Sequence, residues 1–184
     1  MDKLLVLVNG LPGSGKSTLG RSLARALNAQ FLSKDTVKDA LATCLDAADP
    51  RALGGIAMDT VWALAKAVPG TVIVDSGLLN PRDRHVARTG ILNTEASHAV
   101  EVWCDVDADT ARTRYANRNR PALYQDEQRL AVDWDTWAAQ AAPLELTATL
   151  VVNTTSPVDC SLLADRIQLM ASPVTKEHRP NSSQ

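Results

Sequence analysis

The chain has few aromatic residues, 4% of 184, and only one of them is Phe. Aliphatic side chains must therefore fill its core. Cysteine is also scarce. Cys44, Cys104 and Cys160 are odd in number and far apart, which argues against a disulfide framework or a zinc knuckle. His85, His98 and His178 are equally scattered, which argues against a His-based metal centre or a Ser-His-Asp triad. Basic residues are not in excess: 19 Lys and Arg face 21 Asp and Glu, a formal charge of −2. A protein held mainly by a nucleic-acid backbone would be more basic. No apolar run reaches the roughly 18 residues of a membrane-spanning helix. The first apolar stretch is short and runs into glycines and a lysine, unlike a secretory leader, so a cytoplasmic location is expected.

What is present is an ordinary globular composition, 45% hydrophobic and 22% charged, in a length that suits one domain. Leu4-Leu5-Val6-Leu7-Val8 is a continuous apolar run of the kind buried on both faces of a parallel sheet. Leu19, Leu23, Ala26 and Leu27 then recur at helical spacing over residues 16–28. The same alternation continues. Strands are expected at Phe31-Leu32, at 71–75, at 99–104 and at 150–152. Helices are expected after Thr36 (apolar face Val37, Leu41, Leu45), over 56–68, from Pro81 to about Leu92, from Asp107 to about Asn117, around Trp134 and Trp137, and from a Ser156-Pro157-Val158-Asp159 start. Residues 46–54 read as a loop, residues 118–132 as an Arg-rich loop or flap, and 172–184 as a disordered polar tail. The expected fold is one α/β domain over residues 1–171: three layers, a mainly parallel five-stranded sheet and helices on both faces. Ligands of such sheets bind beyond the carboxyl ends of the strands.

Gly10-Leu11-Pro12-Gly13-Ser14-Gly15-Lys16-Ser17-Thr18 follows the first strand and opens the first helix. It matches the phosphate-binding pattern G-x-x-x-x-G-K-[ST]. Glycines let backbone N–H groups approach phosphate oxygens, and the helix dipole points at the same place. Lys16 supplies a full charge to the β- and γ-phosphates, and Ser17 a hydroxyl for Mg²⁺. ATP and Mg²⁺ are the expected ligands.

Other polar residues follow strands. Asp35 is a candidate base for an attacking hydroxyl, with a helix cap as the alternative. Lys38, one turn on, is a candidate to hold the acceptor. Asp75 ends a β-branched strand and is a candidate to order Mg²⁺ or its water shell, with a turn residue as the alternative. Arg112, Arg114, Arg118, Arg120 and Arg129 are candidates for a lid over the phosphates, Arg114 and Arg118 at the nucleotide and Arg118 and Arg120 at the transferring group; a solvated charged face is the alternative. Trp62, with Trp134 and Trp137, lines a pocket or packs the core.

Together these residues resemble the P-loop small-molecule and polynucleotide kinases, the group of polynucleotide 5′-kinase, chloramphenicol phosphotransferase-like enzymes and zeta-toxin kinases. The resemblance covers most of residues 1–171. It rests on residues 10–18, on Lys34-Asp35-Thr36-Val37-Lys38, on Val74-Asp75 with Asn80-Pro81-Arg82-Asp83-Arg84 downstream, and on the Arg-rich flap. It implies that Asp35 is the general base, since those kinases carry a basic–Asp–x–x–basic segment at this place. The chain has no phosphatase domain and no basic surplus, and residues 46–70 match no acceptor pattern. A small hydroxyl compound such as an antibiotic, a nucleoside or a sugar-like metabolite is therefore the expected acceptor. A polynucleotide or nucleotide kinase, a toxin kinase acting on a sugar nucleotide, and a nucleotide-dependent regulatory ATPase are the alternatives. No water-positioning Gln or guanine-reading Asn-Lys-x-Asp segment supports the last.

Overall fold

The first apolar run becomes strand β1 (Leu4–Gly10), buried from Leu5 onward. The computed structural model describes residues 2–44 and 50–173. Parallel strands flank β1 on both sides: β3 (Thr71–Asp75) pairs Val8 with Asp75, and β4 (His98–Asp105) pairs Gly10 with Cys104. β2 (Gln30–Ser33) lies outside β3 and β5 (Ala148–Asn153) outside β4, which gives the order β2-β3-β1-β4-β5, all parallel.

Alternate residues of β1 feed opposite layers. Val6 and Val8 meet Leu19 and Leu23 of α1 (Lys16–Ala26) and Leu163 and Ile167 of α8 (Cys160–Met170). Leu5 and Leu7 meet Val61, Trp62 and Ala65 of α3 (Pro50–Ala67) and Ala87 and Ile91 of α4 (Arg84–Asn93). α2 (Lys34–Ala42) packs on α3. Each fully buried aliphatic side chain stabilises the fold by about 1.5–3 kcal/mol. A third cluster, beyond the strand ends, joins Leu11 and Leu79 to Tyr115 of α5 (Ala108–Ala116) and to Trp134 and Trp137 of α7 (Trp134–Ala139). These two Trp therefore pack; with Tyr115 they form a trio of tilted and edge-on rings 6.0–6.4 Å apart.

Several local expectations are corrected. α3 starts at Pro50, not after residue 54, because Leu53, Ala57 and Val61 are buried at helical spacing and outweigh Gly54 and Gly55. Ser33, not Thr36, precedes α2, and Leu45 lies outside the described residues. α4 starts at Arg84 rather than Pro81, since residues 80–83 form a turn closed by Asp83, whose carboxylate accepts from Leu79 N at 2.9 Å. Asp159 rather than Ser156 caps α8, accepting from Ser161 N and Leu162 N at 3.0 Å. The flap is partly helical, with a 3₁₀ turn (Ala122–Tyr124) and α6 (Asp126–Val132), whose first turn carries Asp126 and Glu127. Ser172–Pro173, expected in the tail, forms a two-residue strand, β6, antiparallel to β4; residues 174–184 lie outside the described residues. Among the described residues no helix is long and apolar enough to cross a membrane.

Candidate functional site

The carboxyl ends of β1, β3 and β2 lie side by side, because Asp75 is in register with both Val8 and Ser33. The loop from Gly10 to Lys16 leaves the central strand at this edge. Gly13 (φ +88°) and Gly15 (φ +86°) hold backbone conformations that other residues rarely adopt. A Cβ at Gly13 would also overlap the Ala111 carbonyl oxygen, so the loop seats directly on α5. Gly15 immediately precedes α1 and turns the first N–H groups of that helix toward the loop. Pro12 is half-buried in the turn and Thr18 is exposed on α1. Thr154 Oγ1 donates to Ser14 O at 2.7 Å, and Arg114 donates to Thr154 O (3.1 Å) and Thr155 O (3.3 Å). Arg114 thus braces the segment that supports the loop. Ser14 Oγ is buried with no partner among the described residues.

Lys16 Nζ donates to Gly10 O (2.9 Å) and Leu11 O (2.7 Å). Burial pushes its pKa down, and the nearby Asp75 charge opposes the shift. Ser17 Oγ donates to Asp75 Oδ2 at 2.6 Å, the short distance of a hydrogen bond to an ionised group. Burial raises the Asp75 pKa, with Lys16 opposing. Cys104, beside Gly10, has a thiol pushed up to about 12 by burial, which leaves it protonated and inert.

Asp35 lies in the first turn of α2, two residues beyond Ser33. Its Oδ2 accepts from Arg120 Nη1 at 2.8 Å. The same guanidinium grips Asp126 through Nε (2.8 Å) and Nη2 (2.7 Å) and lies 4.1 Å from the centre of the Tyr124 ring. Tyr124 donates to Asp39 Oδ1 at 2.7 Å, and Tyr115 to Asp126 Oδ1 at 2.6 Å. Lys38 Nζ stacks 4.8 Å from the Tyr124 ring centre, and Arg118 lies 5.5 Å from that of Tyr115. The flap and α2 therefore meet through Asp35, Lys38, Arg120 and Tyr124, while Lys16, Ser17 and Asp75 meet at the loop.

Trp62 is not brought to this edge. It is 5% exposed in the core between α3 and α4, against Gly90, and it borders a groove lined by Lys66, His85 and Thr89. A buried polar frame escaped the sequence reading. Asn9 Nδ2 donates to Leu78 O (2.8 Å) and Glu101 Oε1 (2.9 Å), and Asn9 Oδ1 accepts from Gly10 N (2.8 Å) and Leu78 N (2.9 Å). Glu101, 1% exposed, accepts from Leu144 N at 3.0 Å and Glu145 N at 3.3 Å. An acid at the centre of an otherwise apolar strand was the available signal, because a buried carboxyl group demands hydrogen-bond partners.

The arrangement joins an anion-binding loop, a hydroxyl–carboxylate pair of hard oxygen donors, and a carboxylate under a basic lid. A family model described as an AAA domain matches residues 5–147. The chain is 32% identical over 127 residues to shikimate kinase of Corynebacterium glutamicum, covering 65% of this chain and 69% of that protein. Two solved structures share the fold. One, from Chloroflexus aurantiacus, aligns with a TM-score of 0.74 at 21% identity, over 92% of this chain and 99% of that one. The other, the APS kinase CysC of Mycobacterium tuberculosis in complex with AMPPNP and APS, aligns with a TM-score of 0.61 at 18% identity, over 92% and 97%.

Proposed function

Since the chain belongs to the AAA-domain family that its residues 5–147 match, as a P-loop kinase, we propose that it moves the γ-phosphoryl group of ATP to a hydroxyl of a small molecule, with Asp35 as general base. The supporting observation is the place of Asp35. Ser33 pairs with Asp75 across the sheet, so the first turn of α2 starts beside the Ser17–Asp75 pair and faces the lid through Arg120.

In the step, the acceptor oxygen bonds to the γ-phosphorus and the bond from that phosphorus to the bridging oxygen of ADP breaks. The hydroxyl proton passes to Asp35. Residues 10–18 cradle the phosphates with backbone N–H groups, and the unpartnered Ser14 hydroxyl suits a phosphate oxygen. Lys16 neutralises charge on the β- and γ-phosphates. Ser17 and Asp75 suit Mg²⁺, a hard cation that keeps several waters and takes few protein ligands; bound there, it would neutralise charge on the phosphates. Arg114 supports the nucleotide side, Arg118 faces the transferring group, and Arg120 fixes Asp35. Lys38 holds the acceptor. A cytoplasmic place of action, where ATP is plentiful, belongs to the same reading.

The test is ATP consumption across a panel of hydroxyl compounds, with mass spectrometry of the product, in the parent and in Asp35→Asn. The variant keeps the size of the side chain and loses its basicity. Its kcat is expected to fall about a hundred- to ten-thousandfold with ATP affinity unchanged. Full single-turnover chemistry in Asp35→Asn would leave the base elsewhere.

A further inference from the structure

Three cations around Asp35, namely Lys34, Lys38 and Arg129, form no ion pair with a carboxylate among the described residues. Lys34 and Lys38 stand one turn apart on α2, and Arg129 lies on α6 in the lid. Burial holds the Lys38 pKa below its ordinary value, Arg129 and, less strongly, Lys34 and Arg120 add to this, and the Asp35 charge opposes it. Lys38 is only 5% exposed. Yet among the described residues none of the three side chains forms a hydrogen bond or ion pair with an acid, and the only close partner of Lys38 is the face of Tyr124 at 4.8 Å.

The nearby acids are already engaged. Asp35 and Asp126 accept from Arg120, Asp39 from Tyr124, and Asp83 from Arg82 through a pair of bonds at 2.6 and 3.0 Å. A half-buried group of like charges repels itself unless an anion enters. The phosphates of ATP have a cation of their own: Lys16 sits in the loop, bonded to Gly10 O and Leu11 O, whereas Lys38 stands on α2 against the Tyr124 ring of the flap.

We infer that Lys34, Lys38 and Arg129 form a subsite for an anionic group of the acceptor, so that the substrate class is an alcohol that also carries a carboxylate, sulfate or phosphate. This rests on the phosphotransfer reading above. The anion anchors beside Lys38, and the hydroxyl then reaches Asp35 one helical turn away. Anchoring by a remote charge orients the reacting oxygen, which is where phosphoryl-transfer enzymes gain most of their rate. The Tyr124 ring walls the subsite and leaves the Lys38 ammonium directed at the ligand.

Two measurements on the full chain test this. In the first, sulfate is titrated by calorimetry with Mg²⁺ and a non-hydrolysable ATP analogue saturating. The parent is expected to take one sulfate, and Lys38→Met and Arg129→Met each to weaken it by about tenfold or more, as loss of a charged hydrogen-bonding partner requires. Both variants should match or exceed the melting temperature of the parent, since each relieves the repulsion among the three cations, whereas loss of a merely structural Lys38 or Arg129 would lower it. No saturable sulfate binding, or unchanged affinity in both variants, overturns the subsite and leaves the kinase reading standing. In the second, ATP turnover is compared for hydroxy acids and their methyl esters. The acids are expected to exceed their esters by about tenfold or more in kcat/KM. Equal turnover of acid and ester overturns the subsite while upholding phosphotransfer. No turnover of either, with sulfate bound as expected, overturns phosphotransfer and upholds the anion site.

Discussion

Arg120 Nη1 donates to Asp35 Oδ2 at 2.8 Å, although 85 positions separate the two in sequence. The bond ties the first turn of α2 to the lid, and the two bonds from Arg120 to Asp126 extend it to α6. Asp35 is half-exposed and Arg120 mostly buried, so the guanidinium is the fixed partner and the carboxylate the adjustable one.

Arg120→Ala should therefore loosen the lid before it unfolds the chain. It strips donors from Asp35 and Asp126 and removes the cation over the Tyr124 ring. Hydrogen exchange over residues 118–132 should accelerate, consistent with a local loss of about 1–3 kcal/mol, and kcat should fall. Exchange in this segment identical to that of the parent would assign the lid's order to the Tyr115–Trp134–Trp137 cluster instead.

Asp75→Asn has a worked sign. Burial raises the folded-state pKa of Asp75 above that of the unfolded chain, so the folded chain binds this proton more tightly. Its contribution to stability is complete below the ordinary carboxylate range and is lost as pH rises through the raised value. The Asn variant avoids that loss. Its melting temperature should exceed the parent's near neutrality and vary less between about pH 4 and 8, while the Mg²⁺ dependence of turnover weakens. Melting curves across that range check the sign, and a variant less stable than the parent at neutral pH contradicts it.

Lys16→Ala should separate activity from stability in the same direction. Turnover should drop about a hundred- to thousandfold, the usual effect of removing one transition-state charge partner. The melting temperature should hold or rise, since a buried cation with a lowered pKa is removed. An unchanged kcat removes Lys16 from the phosphate site.

Two glycine substitutions should act oppositely. Gly13→Ala meets the Ala111 carbonyl in a left-handed backbone, and strain alone costs about 1–3 kcal/mol. Gly55→Ala lies within α3 with nothing in reach of its Cβ and should stabilise by about 0.5–1 kcal/mol. Urea unfolding of both variants measures the contrast.

The sheet was legible because its evidence is local. A continuous apolar β1 before a glycine-rich turn and an amphipathic α1 admits few folds, and the phosphate loop is written in adjacent residues. Element starts were less legible, as at Pro50 and Asp159, where burial or a single carboxylate outweighs the local pattern. Asp35, Asp75 and Arg120 could be picked out as candidates from their positions after strands or in the flap. Their pairing could not, because Arg120 meets Asp35 only after the lid folds over α2. Trp62 was left between pocket and core, since an indole at helical spacing reads alike in both, and the structure puts it in the core at the border of a groove. Asn9 and Glu101 were passed over inside apolar strands whose composition otherwise left nothing to ask.

That last pair divides the molecule. Through one amide and one carboxylate, the root of the phosphate loop, the backbone at Leu78 and the backbone at residues 144–145 share a single anchor. The phosphate loop is thereby set on bedrock, and on the proposed function the acceptor is chosen by residues 34–39 and by the flap beyond Arg120, which the frame does not include. A new substrate could be accommodated by rewriting two short surface segments, without reopening the question of how the nucleotide is held.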